Sequence, residues 1–362
     1  MNLIKINFFN NNYYSRKYVL ILLFNIIFIL ILISNATKNQ KKIGVIGVRH
    51  DTNIGNNLIK FAISIKLNEL GYIPYIVGTH SNNTDISFIN KTTNLVIINN
   101  NFSEIKKEDY DILMVNSDQT WRKIDKHFYD YGFLKFAENW KIKKFVYGAS
   151  IGFDTWQFTF KEDENIKKLI KNFTGISVRE YYSIKLIEEH LNIKPNFVLD
   201  PTLLINKKYY LDLIQNYKGK KIMQKKYIFI YTIFGSEYIK NAIRNASYFY
   251  NFDSYYFQLN NNSSIIEFIY YLFKSNAVIT DSFHGTIFSI IFNKPFITIY
   301  DKFNAKGRFT GLGKLFEVQD RLYENKQQID IEQLIKPLKI NYKLLNKLKI
   351  KSINFIKKNL KK

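Results

Sequence analysis

Apolar and polar positions alternate along the chain in blocks whose period switches between strand and helix. Lys42 to Val48 (KIGVIGV) is a short apolar run that predicts a buried strand. A polar loop, Arg49 to Asn57, follows it. Leu58, Ile59, Ala62, Ile63, Ile65, Leu67 and Leu70 then recur at helical spacing before Gly71, and Pro74 to Val77 reads as the next strand. Further strands are predicted at Asn94 to Ile98, Asp111 to Val115, Lys144 to Tyr147, Gly175 to Val178 and Asn196 to Leu199. Helical stretches lie between several of them, around Ile166 to Asn172 and Tyr182 to Leu191. A second set begins at Tyr227 (YIFIYTIF). It continues through a helix at Glu237 to Tyr248, a strand at Ser254 to Gln258 and a helix at Ile265 to Phe273. Strand Asn276 to Thr280, helix Ile287 to Phe292 and strand Phe296 to Tyr300 complete it. Strands alternating with helices at this length predict parallel sheets covered on both faces.

The expected organisation is two Rossmann-like, doubly wound parallel-sheet domains, residues 42–208 and 227–324, with the lysine-rich stretch 209–226 as linker. Residues 325–362 form a basic tail. Lys336 to Lys362 holds ten lysines and no acid, with Leu345, Leu348, Ser352, Ile353 and Ile356 at helical spacing. That pattern predicts an amphipathic helix, packed on a domain with a solvated lysine face or lying on anionic lipid. Ahead of the domains, residues 1–17 are a basic flank. The apolar run Tyr18 to Ser34, interrupted only by Asn25, predicts a transmembrane anchor over 18–35. A cleaved signal peptide is the competing reading, since Ser34-Asn35-Ala36 has a small-x-small pattern.

Composition narrows the picture. The 362 residues are 46% hydrophobic and 17% aromatic, which excludes a disordered chain. Fifty-three basic against 30 acidic residues give a net charge of +23, but the lysines are spread along the chain. The aromatics follow core periodicity, so nucleic-acid binding is not expected. There is no cysteine, which rules out disulfides, thiol catalysis and thiolate metal sites. Neither GxGxxG in the first turn nor GxxxxGK[ST] occurs, so a nicotinamide or P-loop site has no support. His50, His80, His127 and His190 show no ligand-like spacing, apart from the adjacent His50-Asp51, and no metal is expected.

Candidate chemistry gathers at the carboxyl ends of the predicted strands, where open α/β sheets bind ligands. The clusters are Asn53-Ile54-Gly55-Asn56-Asn57, Asn116-Ser117-Asp118-Gln119, Ser177-Val178-Arg179-Glu180 and Asp281-Ser282-Phe283-His284-Gly285. Arg308, in Lys306-Gly307-Arg308-Phe309, follows the last strong strand. Each has a plain structural reading beside the functional one. Asn-rich loops are ordinary turns, Asp281 or Ser282 could cap a helix starting near Gly285, and Arg179 could pair with Glu180 on the surface.

These motifs together resemble the polysaccharide pyruvyl transferases, over about Ile43 to Leu322. The likeness runs through Asn53-x-Gly55, SDQxW (Ser117 to Trp121), Tyr147 to Gly152, SVRE (Ser177 to Glu180), LDPTLL (Leu199 to Leu204) and TDSFHGTIFSIIFNKPF (Thr280 to Phe296). Asn116 stands where the family often has glycine, and Asn57 where many members carry an acid. The resemblance implies a glycosyltransferase-B-like fold and transfer of pyruvate from phosphoenolpyruvate to two sugar hydroxyls as a ketal, with no further cofactor. It casts His284 as acid/base group and Arg179 and Arg308 as anion ligands. Asp118 joins His284 as a catalytic candidate, orienting it or the acceptor, with Ser282 or Asp281 as other orienters. Asn53, Asn57, Ser282 and Gly285 are the remaining substrate-binding candidates. The implied partners are phosphoenolpyruvate, a free or lipid-linked glycan and the membrane, with the body on the cytoplasmic side of a single-pass anchor. A nucleotide-sugar-dependent glycosyltransferase of the same fold class and a catalytically silent, membrane-anchored glycan-binding protein are the alternatives.

Overall fold

A computed structural model describes residues 40–47, 53–79, 94–98, 101–123, 127–219, 223, 225–258, 264–301 and 306–361. The apolar run at 18–35, His50 and His80 lie outside them. Among the described residues no helix is long and apolar enough to cross a membrane.

The first lobe is built on β1 (Lys42–Ile46), β2 (Ile73–Thr79), β3 (Asn94–Ile98), β4 (Ile112–Val115), β5 (Lys143–Ala149), β6 (Gly175–Val178) and β7 (Asn196–Phe197). All pairings are parallel, in the order β3-β2-β1-β4-β5-β6-β7. Its helices are α1 (Ile54–Glu69), α2 (Phe128–Phe133), α3 (Phe160–Ile170) and α4 (Tyr181–Leu191). The second lobe carries β8 (Tyr227–Tyr231), β9 (Asp253–Phe257), β10 (Ala277–Thr280), β11 (Phe296–Tyr300) and β12 (Leu322–Glu324), again all parallel, in the order β12-β11-β10-β8-β9. The expectation of two parallel-sheet α/β domains holds. The strand order reverses between β1 and β4 in one lobe and between β8 and β10 in the other. A crevice opens at each such reversal.

α5 (Lys207–Ile214) leads from the first lobe to the second, so the predicted linker 209–226 begins inside a helix. Tyr210 is why: its ring is fully buried against Phe288, at 4.9 Å, and its hydroxyl donates to Thr202 O. The second lobe's helices are α6 (Glu237–Tyr250), α7 (Ile265–Lys274), α8 (Phe283–Ile291) and α9 (Lys306–Phe316). α8 starts four residues earlier than the apolar run suggested, because Ser282 caps it by accepting from Gly285 N at 3.3 Å. Arg308, which follows the last strong predicted strand, lies in the first turn of α9.

The final helix, α10 (Tyr342–Lys361), returns to the first lobe. Phe355 meets Phe145 and Tyr147, Ser352 Oγ accepts from Leu199 N, and Asn359 Oδ1 accepts from Thr174 Oγ1. One apolar core runs through both lobes, from Phe61 and Phe145 to Phe229, Phe268 and Phe288. Separate clusters cover the outer face of each sheet.

Candidate functional site

The carboxyl ends of β4, β5 and β6 are stitched together by hydroxyl groups. Ser117 Oγ donates to Gly148 O at 2.8 Å, Gly148 N donates to Ser177 Oγ at 3.0 Å, and Ser177 Oγ donates to Val146 O. Gly148 holds φ at +64°, and a Cβ there would press on Ser117, so glycine is required at this close approach. Trp121 of the same motif is fully buried, its indole N–H donating to Gly132 O. The stitching fixes the backbone from which Asp118 and Arg179 project. Asp118 itself sits at φ +91°, a strained position for a non-glycine residue.

Arg179 is buried to 1% side-chain exposure and bound by three carboxylates. Its Nη2 donates to Asp118 at 2.8 Å, its Nη1 to Asp200 at 2.7 Å and its Nε to Glu180 at 3.1 Å. The surface ion pair considered for Arg179 is therefore a buried network. Among the described residues three of its five N–H donors have carboxylate partners. Burial disfavours the guanidinium charge, but Asp118, Glu180 and Asp200 outweigh that and hold Arg179 firmly protonated. Burial likewise works to raise Asp118 and Asp200. The pull of Arg179, His284 and Arg308 on Asp118, and of His284, Arg179 and Thr202 on Asp200, keeps both below the usual carboxylate range. For Glu180 burial wins, and its carboxyl is pushed up.

Asp200 and Glu180 were not singled out from the sequence as site residues. Asp200 follows a predicted strand, the same criterion that selected Asp118, and its Oδ1 accepts from Thr202 N and Oγ1, which fixes its orientation.

The second lobe brings two groups to this network. His284, in the first turn of α8, places Nε2 3.6 Å from Asp200 Oδ2. Arg308 places Nε 3.7 Å from Glu180 Oε1. Both distances exceed a direct hydrogen bond, and both nitrogens are buried with no hydrogen-bond partner in the protein among the described residues. The Phe283 ring lies 4.8 Å from the Arg179 guanidinium carbon and 4.7 Å from that of Arg308, a cation–π contact to each. Burial and the neighbouring Arg179 lower the Arg308 pKa, against the pull of Glu180 and Asp118.

α1 closes the remaining side. Asn53 caps it, its side chain accepting from Gly55 N at 2.7 Å, and Asn57 is fully buried one turn on. A methyl group at Gly55 would overlap the His284 ring, so the glycine lets the imidazole lie against the helix backbone. Lys60, a further turn along, is buried too. Burial brings its pKa down to about 8, against the opposing field of Asp118.

One expected orienting role does not fit the geometry. Asp281 does not orient His284: its carboxylate accepts from the backbone N–H groups of Ile233, Phe234 and Gly235, at 2.6, 2.9 and 3.1 Å, and pins the loop after β8. Ser282 acts as the α8 cap, and Gly285 packs its backbone against Thr280. Among the described residues no group of three His, Cys, Asp or Glu is placed to hold a metal ion. His190 pairs with Asp163 and stacks on Trp156.

A cavity of about 30 Å³ borders the network, lined by Arg179, Glu180, Asp200, Phe283 and Arg308. It shares Tyr181, Gly311 and Leu315 with an outer groove of about 470 Å³ between α4, α9 and α10. The lobes also meet where Gly307 N donates to both carboxylate oxygens of Asp154, at 3.0 and 2.9 Å.

Comparison with known structures places the fold. The chain is similar to UDP-GlcNAc 2-epimerase from Neisseria meningitidis bound to UDP-GlcNAc. The TM-score is 0.52 at 12% identity, covering 87% of this chain and 94% of that one. A putative UDP-N-acetylglucosamine 2-epimerase from Listeria monocytogenes gives 0.52 at 14% identity, covering 88% and 90%. The UDP-GlcNAc 2-epimerase of Methanocaldococcus jannaschii gives 0.51 at 14% identity, covering 81% and 90%. At such identities the likeness shows the glycosyltransferase-B-like fold alone. No functionally curated protein matches the chain. The model of the polysaccharide pyruvyl transferase family matches residues 53–302, the span that runs from the Asn53 cap through the stitched strand ends to His284, and the chain belongs to that family.

Proposed function

We propose that the protein transfers pyruvate from phosphoenolpyruvate to two hydroxyls of a sugar in a cell-surface polysaccharide or its precursor, forming a cyclic ketal. One observation carries the reading: His284 and Arg308 of one lobe converge on the Asp118–Arg179–Asp200 network of the other, at the carboxyl ends of both sheets, with Asp118 and His284 following strands that border the reversals. The donor carries a phosphate and a carboxylate, and guanidinium groups bind both. Arg308, with its unpartnered Nε, and Arg179 are the groups available to them.

In this reading His284, as imidazolium, gives a proton to the donor's methylene carbon, which becomes the methyl group. The first hydroxyl oxygen then bonds to the central carbon and returns its proton to the imidazole. Phosphate departs with the electrons of its C–O bond, the second hydroxyl oxygen takes its place, and that proton leaves with the phosphate. Asp200 Oδ2 faces Nε2 at 3.6 Å, on the side of the ring from which the proton is exchanged. The cavity at the network has room for about one water, so the donor enters as the lobes separate. The long contacts between lobes are compatible with that movement. We read the groove beside Tyr181 as an approach for the acceptor, and Tyr18 to Ser34 as the membrane tether of a body on the cytoplasmic side.

Purified protein incubated with phosphoenolpyruvate and a panel of free and lipid-linked sugars should release inorganic phosphate only when an acceptor is present. His284→Ala should slow that release by roughly 10²- to 10⁴-fold while the protein stays folded. Turnover of a nucleotide sugar in place of phosphoenolpyruvate would assign the site to a glycosyltransferase. Sugar binding without turnover of either donor would assign it to a silent glycan-binding protein.

A further inference from the structure

α10 has an exposed face that its packing does not explain. Lys343, Lys347, Lys351, Lys357, Lys358 and Lys361 are all exposed and, at about 100° per residue, fall on one broad stripe of the helix surface, with no acid anywhere on the helix. Among the described residues none of the six forms an ion pair. Two apolar side chains stand out to solvent on the same helix, Tyr342 at 54% exposure and Ile350 at 61%.

Beside the stripe lies a recess of about 220 Å³, lined by Lys351, Asn354 and Lys358 of α10 and by Thr174 and Asn196 of the first lobe. It has the size of a small anionic headgroup, with two ammonium groups seven residues apart on its rim.

The placement of α10 matters as much as its charge. It passes Leu199, beyond the end of β7, at Ser352, and reaches Thr174, ahead of β6, at Asn359. Tyr72, ahead of β2, donates to Leu360 O. Its carboxyl half therefore ends at the edge where the strands of the first sheet begin. β1 begins at that same edge with the exposed Lys42. Only seven residues, 35–41, separate the apolar run from Lys42, a reach of at most roughly 25 Å in any conformation.

We infer that the exposed face of α10 lies on an anionic lipid bilayer, with the recess at Lys351 and Lys358 receiving a lipid headgroup. The tether argument rests on reading residues 18–34 as a membrane span; the surface itself stands on the stripe and the recess. Juxtamembrane lysines are drawn to anionic lipid, and aromatic and aliphatic side chains among them enter the interface.

The chain has no cysteine, so a single introduced one can be labelled uniquely. We would place a fluorophore on the full chain at Asn346→Cys, on the stripe. A control label goes at Tyr248→Cys, on the exposed end of α6. Quenching by a nitroxide-headgroup lipid is then measured in phosphatidylcholine vesicles with and without phosphatidylglycerol. The expected result is quenching at position 346 that requires phosphatidylglycerol, with none at 248. It should weaken roughly fivefold for each charge removed in Lys351→Gln and Lys358→Gln. Protein inserted in both kinds of vesicle with position 346 equally quenched or unquenched overturns the surface and leaves the span. Protein that binds only phosphatidylglycerol vesicles, with 346 quenched, keeps the surface and refutes the span.

Discussion

The two lobes meet at the site with edges of opposite character. The first lobe's edge is closed on itself: Asp118, Arg179, Glu180 and Asp200 are joined at 2.7 to 3.1 Å, on strand ends already tied by Ser117, Gly148 and Ser177. The second lobe's edge reaches across without closing, His284 at 3.6 Å and Arg308 at 3.7 Å from their nearest carboxylates. Away from the network the second lobe is tied to itself, through Asp281 and the loop after β8, and to the first lobe, through Gly307 N and Asp154. The difference separates a closed charge network from groups that reach it without hydrogen bonding. A buried charge network within one lobe survives opening, and the groups left short of hydrogen bonds at the seam are the ones a ligand can engage.

The harshest way to break this contrast is to remove the cation of the closed network. Arg179→Met leaves three carboxylates buried without their cation and should cost about 3–5 kcal/mol of stability. An unchanged denaturant midpoint would show that the network is not holding the first lobe together. Gly55→Ala attacks the seam instead. Its methyl overlaps the His284 ring, so the imidazole or the lobe must shift, at about 1–3 kcal/mol. Catalytic rate should fall further than thermal stability does. If both are unaffected, the ring does not rest on α1.

Asp281→Asn tests the second lobe's internal tie. Three backbone N–H groups lose a charged acceptor, a change of about 1–2 kcal/mol, and cleavage by added protease at Ile233 to Gly235 should accelerate. Cleavage at the wild-type rate would argue against the tie.

The smallest effect concerns pH. The folded-state pKa of Asp200 is depressed by His284, Arg179 and Thr202 acting against burial. Its stabilisation is therefore present above the unfolded value of about 3.9 and lost as pH falls toward the folded value. The stability gap between wild type and Asp200→Asn should be widest near neutrality and narrow below about pH 4. A gap that stays constant between about pH 6 and pH 3 would mean the carboxylate charge is not what Asp200 contributes.

Much of this arrangement was readable before any coordinates. β3, β6 and β11 fall on the predicted residues, because runs such as FITIY are short, apolar and bounded by turn residues. His284 and Asp118 stood out by their place at strand ends. α2 and β12 escaped notice, being only six and three residues long, too short for a period to register. Arg308 was found, but the helix that carries it was not predicted, since the KGRFTGLG stretch of α9 holds three glycines and shows no helical period, although Phe309 and Leu312 are buried.

What the sequence determined by itself is what is local: the alternation of strand and helix, the cap at Ser282, and the polar residues at strand ends. These depend on neighbours within a turn or two. Only the tertiary structure decided which charges meet. Arg179 and Glu180 are adjacent in sequence, but Asp118 lies 61 residues before Arg179 and Asp200 21 after it. Their contact, and the approach of His284 to Gly55, follows from the order in which parallel strands pair and from one core joining both lobes. The periodicity of a single segment carries no record of either.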